Sequence, residues 1–287
     1  MTAMVTPFDA GGAVDLTRTA ELAHYLLTHG TDTLVINGTT GESPTTDSGE
    51  KYALVQAAVQ AVGKGKIIAG VGGNDTRAVV ETAKRAHDAG AGALLAVAPY
   101  YNKPSQEGLY RHFRAVADAT PLPVMLYNVP GRTITNIDAD TTARLARDAS
   151  NIVATKEASM NMAQVAEIAR LTPDTFDIYS GDDASVLPTL ALGGAGVVSV
   201  VSHLCGRDLQ ASVAAWFGGD ITESRRLFLA TLPLTRAVFS APSPSPLKYA
   251  MAKIGQPVGG VRLPLVELTD AEERSVDAAL TSYRLSE

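Results

Sequence analysis

Short apolar runs rich in β-branched residues recur at positions 3–6, 33–37, 67–71, 94–98, 124–128, 152–156, 176–180 and 197–201. Runs such as VMLYN and GVVSVV do not alternate between apolar and polar residues, which is the pattern of parallel strands covered on both faces. Between the runs the period becomes helical. In residues 76–89, Val79, Val80, Ala83 and Ala86 share one side, and an Ala-Gly-Ala-Gly stretch stops the segment. Eight strand-then-helix units without a linker or a break in composition predict a (β/α)8 TIM barrel over residues 1–203. Helical patterns at 209–217, 222–239 and 246–254 predict a C-terminal helical subdomain over residues 204–287. The SAPSPSP stretch at 240–246 leads straight into a helix, so an ordered turn is expected there rather than a polyproline linker.

Composition narrows the function classes. The 287 residues are 46% hydrophobic, enough for a sizeable core, and 24 Lys plus Arg against 30 Asp plus Glu leave a net charge of -6. Such a balance offers no basic field for nucleic acid. The single Cys205 cannot form an intramolecular disulfide, the opening residues lack a signal-peptide pattern, and no apolar run reaches the ~20 residues a membrane helix needs. These features predict a cytoplasmic protein with neither nucleic acid nor membrane as partner. Histidines 24, 29, 87, 112 and 203 lack metal-ligand spacing, so no structural metal is expected. The Asn37 and Asn74 glycosylation sequons are expected to be coincidental.

A barrel of this kind builds its site at the carboxyl ends of the strands. Lys156 ends the sixth run, and an amine removed from water favours the neutral form that attacks a carbonyl to give a Schiff base. A lysine snorkelling to solvent, or paired with Glu157, explains the position equally well. Tyr127 lies one strand-helix unit earlier, at comparable height on the neighbouring strand. There it serves either as a proton shuttle or as an aromatic filling the barrel. Thr39 and Thr40, between Gly38 and Gly41, form either a carboxylate-binding nest or an ordinary flexible turn. Arg132 follows Pro130-Gly131 at the mouth and suits a second carboxylate, though an arginine there is more often a plain surface residue. The glycines of Leu192-Gly-Gly-Ala-Gly196 precede the eighth run, and Gly181-Asp-Asp183 follows the seventh with two carboxylates, so neither forms a phosphate cup. The substrate expected is a small carboxylated carbonyl compound without phosphate.

Six motifs in order carry a resemblance over Thr2 to about Leu268: GTTGES at 38–43, PYYNKPSQEGLYRHF at 99–113, LYNVPGRT at 126–133, ATKEAS at 154–159, SGDDAS at 180–185 and GGAGVVSV at 193–200. The sequence resembles the dihydrodipicolinate synthases, within the pyruvate-dependent Schiff-base lyases that also include N-acetylneuraminate lyase. The segment from Tyr127 to Arg132 separates the two branches. The resemblance implies condensation of pyruvate with L-aspartate 4-semialdehyde to 4-hydroxy-tetrahydrodipicolinate, the committed step of diaminopimelate and lysine biosynthesis, with no cofactor beyond the imine on Lys156.

The same resemblance implies that Thr39 and Thr40 hold the pyruvate carboxylate and that Tyr127, Thr40 and Tyr101 relay protons, Tyr101 reaching in from a neighbouring subunit. It implies that Arg132 binds the aldehyde's carboxylate, that Gly181 and Val198 line the pocket, and that the chain forms a homotetramer as a dimer of dimers. In lysine-inhibited relatives an effector crevice involves the positions of Ser43, Ser48, Lys51, Asn74, Ala78 and Tyr100. Ser48 and Lys51 replace histidines there, and Ala78 replaces an acid, which implies insensitivity to lysine, although Lys51 offers a cation to the effector's carboxylate. Two other readings stand beside this one. A different pyruvate-dependent aldolase, acting on 2-keto-3-deoxy sugar acids or on N-acetylneuraminate, would differ in acceptor. A non-catalytic barrel would fail to trap pyruvate.

Overall fold

The computed structural model describes residues 1–284, with the side chain of Arg284 outside the description. It has a TIM-barrel-like fold. Eight strands follow the chain in sheet order: β1 (Thr2–Ala3), β2 (Leu34–Ile36), β3 (Ile67–Gly70), β4 (Ala93–Val97), β5 (Val124–Asn128), β6 (Ile152–Glu157), β7 (Asp177–Ser180) and β8 (Gly196–Val197). The chain packs as two compact units, Met1–Lys66 with Ser199–Glu287, and Ile67–Val198.

In the first unit β1 pairs with β2 in parallel, Thr2 opposite Leu34 and Ala3 opposite Val35. On its other side β1 meets Ser199 through a parallel bridge, with Ala3 donating to the Ser199 carbonyl at 2.8 Å and Ser199 donating to Met1 at 3.0 Å. Helix Leu16–Thr28 starts at Asp15, whose side chain accepts from the Arg18 amide, and it buries Leu22, Ala23 and Leu26 on one face. Helices Ser48–Val62, Ser202–Phe217, Ile221–Val238, Ser245–Lys253 and Asp270–Arg284 belong to the same unit. The SAPSPSP stretch is an ordered turn, as expected: Ser245 donates its amide to Pro242 and its hydroxyl to Val266.

In the second unit β3 to β8 pair consecutively and in parallel. Most of their apolar residues are buried without alternation, as strands covered on both faces require, with Val153 of β6 the exposed exception. Helix Thr76–Asp88 matches the expected segment to within a residue and buries Val79, Ala83 and Ala86.

Three extents differ from expectation by more than one residue at an end. The first run, read as 3–6, pairs as a strand only over Thr2–Ala3, because the Val5 amide donates to the His203 imidazole rather than to a neighbouring strand. The eighth run, read as 197–201, ends at Val197: Ser199 turns to β1, its hydroxyl accepts from the Ser202 amide, and Val201 is already helical. The helix read as 209–217 begins at Ser202, with a break at Cys205.

Candidate active site

Parallel pairing of β5 with β6 sets Tyr127 opposite Lys156 and Asn128 opposite Glu157. Tyr127 and Lys156 are 6% and 5% exposed, and the Lys156 Nζ sits 4.3 Å from the centre of the Tyr127 ring. Successive residues of a strand point to opposite faces, so Glu157 turns away from its neighbour. Its carboxylate accepts from Asn128 Nδ2 at 3.1 and 3.0 Å, from the Ser159 amide at 2.8 Å and from Gln164 Nε2 at 3.1 Å. The alternative in which Lys156 pairs with Glu157 is therefore not what forms. Among the described residues Lys156 Nζ has no carboxylate within ion-pair reach, and the Tyr127 hydroxyl has no hydrogen-bond partner.

Gly181 follows β7 and donates its amide to the Glu157 carbonyl at 2.7 Å. A Cβ at Gly181 would stand 3.0 Å from Lys156 Cγ and 3.1 Å from its Cε, so the absent side chain is the space the lysine crosses. Val198 is buried and donates to Ser180 at 2.9 Å. Arg132 lies exposed in the short helix Pro130–Thr133, which Pro130 starts just after β5. Its guanidinium makes no hydrogen bond or ion pair among the described residues.

Tyr101 is 87% exposed, with a φ of 73° that costs a non-glycine residue backbone energy. Two asparagines hold its turn: Asn74 Nδ2 donates to the Tyr100 carbonyl at 3.2 Å, and Asn102 Nδ2 donates to the Asn74 carbonyl at 2.8 Å. Ala78 is exposed on helix Thr76–Asp88.

In the first unit, Thr39 and Thr40 stand in the turn after β2. Thr40 is buried and Thr39 half-buried, yet the amides and hydroxyls of both lack protein partners among the described residues. Gly41 fits where a Cβ would press on the Met4 carbonyl and the Thr6 hydroxyl, each at 3.2 Å. Ser43 is half-buried in the next turn and Ser48 is exposed at the start of helix Ser48–Val62. The Lys51 ammonium donates to the Thr46 carbonyl at 2.7 Å. Sequence reasoning missed the group behind this turn: Glu42, next to the glycine, pairs with Lys248 at 2.7 Å, both buried. A glutamate inside a glycine-rich turn was the one available signal.

Among the described residues no three His, Cys, Asp or Glu side chains are grouped to hold a metal ion, and no helix is long and apolar enough to cross a membrane. His112 and His203 are buried, and burial pushes the pKa of each down to about 4.

Comparison with known proteins finds relatives over nearly the whole length of the chain. The pattern of the dihydrodipicolinate synthetase family matches residues 1–283. A 4-hydroxy-tetrahydrodipicolinate synthase of Bacillus subtilis is 48% identical over 281 residues, covering 98% of this chain and 97% of its own. One of Heliobacterium modesticaldum is 50% identical over 286 residues, covering 99% and 95%. The crystal structure of a dihydrodipicolinate synthase from Bacillus anthracis superposes with a TM-score of 0.95 at 47% identity, covering 98% of this chain and 96% of that one. That of the Cyanidioschyzon merolae enzyme with lysine bound gives 0.97 at 44%, covering 99% and 97%. With the family pattern, full-length relatives and the fold all in agreement, this chain belongs to the dihydrodipicolinate synthetase family.

Proposed function

We propose that this chain is a 4-hydroxy-tetrahydrodipicolinate synthase, a lyase of diaminopimelate and lysine biosynthesis that condenses pyruvate with L-aspartate 4-semialdehyde through a Schiff base on Lys156. The observation that carries the reading is the apposition of Lys156 and Tyr127 on paired strands, with no carboxylate on the amine among the described residues. The neutral amine adds to the keto carbon of pyruvate and water leaves to give the imine. Loss of a methyl proton to the Tyr127 relay gives the enamine, whose carbon attacks the aldehyde, and the aldehyde substrate's own amine then displaces Lys156 as the ring closes. The imine is the whole electron sink, so no cofactor is required.

The remaining roles follow the family. Thr39 and Thr40 hold the pyruvate carboxylate, and their amides and hydroxyls, without partners among the described residues, support this. Tyr127 and Thr40 relay protons with Tyr101, whose exposed ring completes the site of a partner subunit in a homotetramer built as a dimer of dimers. Arg132 binds the carboxylate of the aldehyde substrate, its guanidinium being exposed and unpaired among the described residues. Gly181 and Val198 line the pocket. Ser43, Ser48, Lys51, Asn74, Ala78 and Tyr100 mark an effector position that has lost its affinity for lysine. Residues 1–203 form the barrel and 204–287 a helical subdomain in this reading, supported by helices Ile221–Val238, Ser245–Lys253 and Asp270–Arg284, which lie wholly beyond residue 203. A biosynthetic step on soluble metabolites suits a cytoplasmic protein.

Borohydride reduction with pyruvate tests the chemistry. Peptide mapping is expected to find the adduct on Lys156, and an adduct on Lys103 or Lys248, or none, would sink the mechanism. Product formation from aspartate semialdehyde, measured against sugar-acid aldehydes, separates the synthase from other aldolases.

A further inference from the structure

The Thr39–Thr40 turn ends in a shape that Glu42 by itself resists. Glu42 takes a left-handed φ of 53°, which persists in a residue with a long side chain only where the surroundings impose it. The surroundings here come from the far end of the chain. The buried Glu42 Oε1 lies 2.7 Å from the Lys248 Nζ, and its Oε2 accepts from the Arg262 amide at 2.9 Å. The Lys248 ammonium also donates to the Gly260 carbonyl at 2.6 Å and lies 4.1 Å from the centre of the Phe8 ring, which carries the Arg262 guanidinium 4.4 Å from the same centre. Arg262 then forks onto Glu50 at 2.9 and 2.6 Å and donates to the carbonyls of Thr45 and Gly12, each at 2.8 Å. Glu42, Thr45 and Glu50 all follow Thr40 closely in the chain, and all three are tied to this one cluster.

A buried ion pair is poor value as a source of stability, since a well-packed neutral pair of the same volume does as well or better. What charge pairs and bidentate arginines supply is direction. The cations do not serve as attractants for an anion either, because each already faces a carboxylate.

We propose that Glu42, Lys248 and Arg262 are positioning residues that hold the Thr39–Thr40 turn in the shape that receives the pyruvate carboxylate. The proposal rests on the carboxylate-binding role given to that turn above. The C-terminal segment around residues 248–262 thereby acts on substrate binding without touching substrate.

The test is steady-state kinetics on the full chain carrying E42Q and K248M together, which removes both charges and keeps the shape. The pyruvate concentration for half-maximal rate is expected to rise about tenfold, with kcat changed less than about threefold, because a loosened turn weakens binding while the imine chemistry is untouched. A purely structural role would lower the active fraction and hence kcat, and leave that concentration alone; this outcome in the folded variant overturns the proposal. If the double variant does not fold, E50Q decides by the same measurement. It loosens the half-buried end of the cluster, and an unchanged pyruvate half-saturation there overturns the proposal as well. Borohydride trapping at saturating pyruvate keeps the two readings apart. The variants should still be labelled on Lys156, whereas absence of labelling in the unaltered protein counts against the Schiff-base reading itself.

Discussion

Lys156 runs across the place where Gly181 would carry a side chain. A Cβ there would meet Lys156 Cγ at 3.0 Å, Lys156 Cε at 3.1 Å and Ala158 Cβ at 2.7 Å. The backbone of Gly181 needs no glycine for its dihedral angles, since its φ lies outside the left-handed range, so the requirement is one of space.

Gly181→Ala is therefore expected to displace the amine. A shift of an ångström in a reacting group costs on the order of a hundredfold in rate, and the overpacking costs about 1–3 kcal/mol in stability. Single-turnover trapping of pyruvate by borohydride measures the first effect and urea unfolding the second. A variant that traps pyruvate at the original rate would mean that Lys156 does not depend on this gap.

Arg132→Ala should leave imine formation with pyruvate intact and weaken use of aspartate semialdehyde. Loss of a charge-assisted contact costs about 2 kcal/mol, or roughly thirtyfold in kcat/KM for the aldehyde. Equal loss of pyruvate trapping in this variant would count against the assignment.

Tyr101→Phe and Lys156→Ala proteins, each nearly inactive, should regain activity when mixed under subunit exchange. A mixed dimer holds one site with both groups intact, so random pairing restores up to about a quarter of the original activity. No recovery despite exchange, shown by mass spectrometry of tagged subunits, would put Tyr101 in its own subunit's site or outside the relay.

Millimolar L-lysine is expected to cause little or no inhibition. Lys51 keeps an ammonium beside Thr46, 2.7 Å from its carbonyl, and Ala78 offers no carboxylate to a cationic effector. Half-inhibition well below that range would show an effector site that tolerates the altered charges.

Acid should destabilise the protein through its buried histidines. Folded His203 has a pKa of about 4 against an ordinary 6.5, because burial disfavours the charged ring. Between those values the unfolded chain binds a proton that the folded one refuses, so stability is full above about pH 6.5 and falls as pH drops toward 4. The loss is on the order of 3 kcal/mol for such a shift. Urea midpoints followed from pH 7 to 4 should therefore fall less steeply in His203→Gln. Parallel curves for the two proteins would assign the acid sensitivity elsewhere.

Much of this was legible in the order of residues. Parallel strands in successive strand-helix units bring their ends to similar heights, so Tyr127 and Lys156 were expected to be neighbours, and the register pairs them. Helix Thr76–Asp88 followed from its apolar period and its stop, because those signals act within a few residues. Tertiary structure decided what depends on distant chain. An apolar run does not disclose whether its backbone pairs, so the ends of β1 and β8 waited on His203 and Ser199. Whether Glu157 faces Lys156 or Asn128 depends on which donors fill the far side of the sheet. The pairing of Glu42 with Lys248 has no local signature, since charge attracts through space and the chain brings these two together only once it is folded.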